Sequence, residues 1–164
     1  MLSAGQDFVC IDVFNGDADG ICALQQFRLN QPASARLISG VKRDVSLLQN
    51  LSDQSRASIQ VFDISFDSNV DALKKILGLS NRVIYFDHHA AETRFNHPDL
   101  TFHWDDNTQV CTSLLVYRHT GQRYPDWAMV GCFGDSLDNV AADIAAQHQI
   151  SQDCCLAYRE LGSY

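Results

Sequence analysis

With 164 residues, 20 Asp and Glu against 12 Lys and Arg, and a formal net charge of −8, the chain has the size of one compact domain. It is long enough to bury a core without disulfides or a structural metal. A hydrophobic fraction of 46% beside 20% charged residues excludes a disordered chain, and three prolines and nine glycines exclude collagen-like and low-complexity classes.

The first predicted element is a strand over Phe8-Val9-Cys10-Ile11-Asp12-Val13-Phe14, a near-continuous apolar run of the kind that a parallel sheet buries on both faces. It stops at the turn signal Asn15-Gly16-Asp17-Ala18-Asp19-Gly20. Ile21, Leu24, Phe27 and Leu29 follow at helical spacing, and Pro32 ends that helix. Residues 36–40 read as a short strand. Val45, Leu47, Leu48 and Leu51 read as a helix beginning near Asp44. Residues 58–63 form a third strand. Val70, Leu73, Ile76 and Leu77 mark an amphipathic helix with Gly78 as its C-cap. Residues 82–87 form a fourth strand, followed by His88-His89, and residues 100–104 form a weaker fifth. Beyond Thr108 the pattern is helical over roughly 109–120, 125–137, 138–148 and 151–163. Strands alternating with helices predict right-handed βαβ units, hence an α/β fold with a mostly parallel sheet of five strands.

The six cysteines form no C-x-x-C pair, which fits neither a zinc ribbon nor a disulfide framework and leaves reduced, mostly buried thiols. No window approaches about 18 consecutive apolar residues, so no membrane span is expected. The segment MLSAGQDF has neither a basic region nor an apolar one, so the expected compartment is the cytoplasm. The acidic balance argues against nonspecific binding of long nucleic acid by this chain alone.

Three strands end in acidic or histidine residues. Asp17 and Asp19 follow the first, Asp63 ends the third, and Asp87, His88 and His89 end the fourth. Loops beyond the carboxyl ends of parallel strands face one crevice, so these groups are expected to converge there. Clustered carboxylates repel one another and are costly to bury, and a divalent cation relieves both penalties. Taken singly, each piece is also an ordinary turn, helix cap or surface histidine. Their joint placement at one end of successive strands is what points to a shared metal site.

Asn15-Gly16-Asp17-Ala18-Asp19-Gly20, then Asp63, then Asp87-His88-His89 resembles the motif series of the DHH phosphoesterase superfamily, in its RecJ-like branch. That superfamily includes single-strand exonucleases, family II pyrophosphatases, oligoribonucleases and cyclic-dinucleotide phosphodiesterases. Gly131-Cys132-Phe133-Gly134-Asp135 resembles its fourth motif, and Val110-Cys111-Thr112-Ser113-Leu114 the small-hydroxyl helix start. The resemblance implies a three-layer, Rossmann-like DHH domain across residues 1–164. It also implies that a C-terminal substrate-binding domain of the DHHA1 type lies outside this chain, which would then be part of a longer one.

It implies up to two divalent cations, Mn²⁺ or Mg²⁺, held by Asp17, Asp19, Asp63, His88 and Asp135, with Asn15 as a further ligand. Asp63 would bridge the two ions. His89 would act at the scissile phosphate, with Asp87 orienting a histidine. Arg94, Thr112 and Ser113 would contact substrate. The implied activity is two-metal hydrolysis of a phosphodiester in a small nucleotide or a short single-stranded nucleic acid. Two features depart from the pattern. Asn15 stands where RecJ-like proteins carry an acidic ligand, and Val13 where pyrophosphatases carry histidine. The departures leave two alternatives open: an inorganic pyrophosphatase or polyphosphatase, and a degenerate domain that binds a metal or nucleotide in a regulatory role.

Overall fold

A computed structural model describes residues 8–40, 44 and 46–164. Five strands, β1 (Val9–Asn15), β2 (Arg36–Gly40), β3 (Ala57–Phe62), β4 (Arg82–Asp87) and β5 (Leu100–Trp104), form one sheet in the order β2-β1-β3-β4-β5. Every pairing is parallel, with Val13 opposite both Ile38 and Val61, and Phe86 opposite both Phe62 and His103. Helices α1 (Ala18–Asn30) and α2 (Val70–Leu77) lie between strands, and α3 (Thr112–His119), α4 (Pro125–Gly134), α5 (Asp138–His148) and α6 (Gln152–Gly162) follow the sheet. The strand order reverses between β1 and β3. That switch point leaves a crevice beyond their carboxyl ends.

Each face of the sheet is covered. Ile11, Val13, Ile59, Val61, Val83 and Tyr85 pack on one face with Leu48, Leu51, Leu73 and Ile76. On the other, Phe62 and Phe86 pack with Ala23 and Phe27 of α1 and Val116 of α3. A third cluster, Cys111, Leu114, Met129, Cys132, Ala141 and Ile144, joins α3, α4 and α5. This is the expected three-layer arrangement.

Most element ends match the sequence pattern, and the differences have local causes. The segment expected as a helix from Asp44 is a short 3₁₀ turn, Leu47–Leu51, whose three leucines are buried. The Leu48 N–H donates to the Asn69 side chain at 3.2 Å. Val45 lies outside the described residues. Helix α3 starts at Thr112 rather than near 109, and α4 stops at Gly134, where Asp135 is its C-cap. Gly78 does cap α2, in right-handed geometry with φ −64°, so no left-handed turn is involved.

One feature of β1 escapes an apolar reading. Asp12 is fully buried, and Arg28 of α1 donates to its two oxygens at 2.7 and 2.5 Å and to Gln60 Oε1 at 2.7 Å. The fork of a guanidinium matches a carboxylate in this way and makes a charge inside the fold tolerable. All six cysteines are free of disulfides.

A candidate metal centre at the strand ends

The crevice at the switch point has a volume of about 210 Å³ and is lined by Asn15, Asp17, Asp63, His88, His89 and Asp135, together with Asp44, Ile64 and Ser65. Asp17 is the N-cap of α1, its Oδ1 accepting from the Gly20 N–H at 3.2 Å. A Cβ on Gly20 would lie 2.3 Å from the Asn15 carbonyl oxygen, so only glycine lets the turn close this tightly. Asn15 Nδ2 donates to Asp17 Oδ2 at 3.0 Å and to Asp63 Oδ2 at 3.1 Å.

Asp63 follows β3 with φ +59°, in the left-handed region that a non-glycine residue adopts at a cost. The turn aims its carboxylate across the switch point. Asp63 Oδ1 accepts from Thr112 Oγ1 at 3.1 Å and lies 3.3 Å from His88 Nε2. Asp135 Oδ2, at the end of α4, lies 3.3 Å from the same nitrogen, and Asp19 Oδ2 lies 3.9 Å from it. Three carboxylates from three elements thus surround one imidazole nitrogen. Two overlapping sets, Asp19-His88-Asp135 and Asp63-His88-His89, each bring their ligand atoms within 4.8 Å of one another. That donor set of carboxylate oxygen and imidazole nitrogen suits Mn²⁺, Mg²⁺, Fe²⁺ or Zn²⁺.

Thr112 and Ser113 do not face the crevice. Both are fully buried. Their N–H groups donate to Asp19 Oδ2 and Oδ1, each at 2.7 Å, and Ser113 Oγ donates to the Asp19 carbonyl at 2.8 Å. The start of α3 therefore clamps Asp19 with the donors that helix N-termini leave unused. Where the resemblance implies substrate contact, the structure places these two residues beneath a carboxylate that they hold. Arg94 does not line the crevice either. Its guanidinium stacks 3.9 Å from the centre of the Trp104 ring, in a separate hollow lined by Glu92, Phe95, Asn96, His97 and Phe102.

Asp87 is fully buried and lies behind the crevice. One oxygen accepts from the Phe66 N–H at 2.9 Å, and the other from the His89 N–H at 3.2 Å and His89 Nδ1 at 2.6 Å. The carboxylate fixes the tautomer and direction of the His89 ring, as such partners do for working histidines. The other end of the DHH turn is held by Trp104, whose indole N–H donates to the His89 carbonyl at 2.8 Å. Nothing in the sequence neighbourhood of Trp104 marks it as a support of this turn.

The electrostatics favour a positive charge at this point. Burial, then the charges of Asp63 and Asp135, push Asp19 well above the ordinary carboxylate range, against the Ser113 and Thr112 hydrogen bonds. Burial opposes ionisation of Asp63 as well, but the hydrogen bond and charge of His88, then His89 and Asn15, hold it below the ordinary value. His88 is raised: burial disfavours its charged form, and the Asp63 hydrogen bond with the charges of Asp135, Asp63 and Asp87 outweighs that. His89 is raised chiefly by its hydrogen bond to Asp87. A cluster that draws protons onto both a carboxylate and an imidazole is one that a divalent cation would relieve.

No family model and no curated protein matches the sequence. Solved structures do match. A DHH-domain protein belonging to a family of ribosomal proteins superposes with a TM-score of 0.66 at 9% identity, over 94% of this chain and 46% of that one. The exonuclease RecJ bound to manganese superposes with a TM-score of 0.59 at 17% identity, over 94% and 46%. The chain has the fold of a DHH domain. RecJ from Thermus thermophilus, in complex with Mn²⁺, shares that fold with a TM-score of 0.52 at 17% identity, over 84% of this chain and 24% of that one. The chain therefore spans about half the length, or less, of these DHH-fold structures. Among the described residues no helix is long and apolar enough to cross a membrane.

Proposed function

We propose that the chain is the catalytic-type domain of a divalent-cation-dependent phosphoesterase, cleaving a phosphodiester in a small nucleotide or a short single-stranded nucleic acid. The observation that carries this reading is the convergence of Asp19, Asp63 and Asp135 on His88 Nε2, with His89, held from behind by the buried Asp87, lining the same crevice. The manganese-bound RecJ structures of the same fold support it. A net charge of −8 favours a short substrate over a long one. The greater length of the matched chains supports a second domain that closes over the substrate.

In this reading Asp19, Asp63, His88 and Asp135 hold the cation. Bound there, a divalent ion supplies Lewis-acid polarisation of the phosphate and hydroxide near neutral pH. The α3 N-terminus aims Asp19 and opposes the rise in its pKa that burial and the neighbouring carboxylates cause. His89, held by Asp87, donates to the phosphoryl group as negative charge develops, a preorganised donor of the kind that lowers such barriers most. The experiment is an Mn²⁺-dependent activity panel of linear and cyclic dinucleotides, short single strands and pyrophosphate, run on the native protein and on His89→Ala. Turnover of a phosphodiester, lost in the variant, is the expected result. Turnover of pyrophosphate alone would make the chain a pyrophosphatase. Ion binding without any turnover would favour the regulatory reading, for which the Asn15 hydrogen bonds already speak.

A further inference from the structure

We propose that the crevice takes one divalent cation, at His88, and that the Asn15 amide stands where a second cation would have to sit. This rests on the cation-dependent reading above and changes the number of ions within it.

Asn15 Nδ2 lies 3.0 Å from Asp17 Oδ2 and 3.1 Å from Asp63 Oδ2. A side-chain amide has two N–H donors and no charge, so one hydrogen serves each carboxylate. Those two oxygens face each other across the turn, and something positive must separate them. Here the positive end of the amide dipole lies between them. The other Asp17 oxygen accepts from the Gly20 N–H, so Asp17 also caps α1.

The ligand sets agree. Among the described residues, both sets of clustered ligand atoms are built on His88, and neither contains Asp17. Residue type at position 15 decides between the two states. An aspartate there would set a third carboxylate against Asp17 and Asp63, an arrangement that only a cation reconciles. An asparagine adds no third charge and donates to both carboxylates from the place between them. To admit an ion between Asp17 and Asp63, the amide would have to turn its carbonyl inward and give up both hydrogen bonds.

The test counts ions directly by native mass spectrometry at saturating Mn²⁺, with the Mn²⁺ electron paramagnetic resonance spectrum as a second readout. The native protein is expected to carry one Mn²⁺ per chain with an uncoupled spectrum. Asn15→Asp is expected to carry two with the spectrum of an exchange-coupled pair. Asp17→Asn keeps a capping side chain and is expected to hold its one Mn²⁺ within about threefold of the native affinity. Two ions on the native protein, one on Asn15→Asp, or a loss of about tenfold or more in Asp17→Asn would each overturn the proposal and leave cation dependence standing. No ion on the native protein would overturn the cation-dependent reading along with it. The native stoichiometry and Asp17→Asn decide the matter even if Asn15→Asp fails to fold.

Discussion

Single residues here have roles that their chemical type makes plain and their sequence position does not. His88 and His89 are adjacent, yet one gathers three carboxylates and the other is pinned by Asp87. His103 is a third case, with a packing role. Its ring stacks on Phe86 at 4.4 Å and meets His119 edge-on at 4.8 Å. Burial, then the charge of His119, lowers its pKa from the ordinary 6.5. A group depressed in the folded state favours folding above its unfolded pKa, and that contribution is lost as pH falls toward the folded value. Urea denaturation in the presence of a chelator is therefore expected to show His103→Phe losing less stability than the native protein between about pH 7.5 and about pH 5.5. The raised pKa values of His88 and His89 act in the opposite sense in both proteins and cancel in the comparison. An equal or greater loss in the variant would show that folding does not depress the His103 pKa.

At the scale of elements, the site depends on how closely α4 approaches the start of α3. Gly131 makes that approach possible. A Cβ there would lie 2.2 Å from Ser113 Oγ and 3.2 Å from Asp19 Oδ1. In an ordinary helix interior Gly→Ala stabilises by roughly 0.5–1 kcal/mol. Here overpacking should cost about 1–3 kcal/mol, and the displaced Ser113 would release its hold on Asp19. Gly131→Ala is expected to unfold at lower denaturant and to bind Mn²⁺ more weakly. A more stable variant with unchanged Mn²⁺ affinity would show that α4 can move aside at no cost to the site. The motif Gly131-Cys132-Phe133-Gly134-Asp135 thus has two separate jobs: the glycine sets the helix spacing and the aspartate reaches His88.

For the whole molecule, the candidate centre ties the sheet to the helical layer. Asp63 and His88 leave the ends of β3 and β4, Asp19 belongs to α1, and Asp135 caps α4. An ion bound by all four stabilises the folded chain by mass action, about 2.7 kcal/mol at 100 times the dissociation constant. Mn²⁺ is expected to raise the melting temperature and a chelator to return it. Asp135→Asn is expected to lose most of that rise while keeping the chelated stability near the native value. A rise of equal size in Asp135→Asn would take Asp135 out of the ligand set.

The α/β class, the five parallel strands and the placement of Asp17, Asp63, His88 and His89 at strand ends that share one crevice were legible in the sequence, whereas Asp135, at a helix end, entered only through the resemblance of its motif. Apolar strand runs that stop at acidic turns carry that information, because parallel strands deliver their carboxyl ends to one side. Identity to the solved DHH-fold structures is 9–17%, so the few strand-end residues were more telling than the rest of the chain. What lay beyond reach depends on contacts between distant segments. Thr112 and Ser113 sit 93 and 94 positions from Asp19, and whether a small hydroxyl residue faces substrate or holds a carboxylate from beneath is decided by the side of the crevice on which α3 docks. Arg94 had no local signal for its stack on Trp104. The pair of buried Asp12 and half-buried Arg28 reads, in sequence, as an interruption of an apolar strand and a basic residue in the last turn of a helix. Only the tertiary structure sets the two charges face to face and aims the Asn15 amide at two carboxylates, because residue type fixes what a group can donate or accept, while the meeting of distant backbones fixes which groups come within reach.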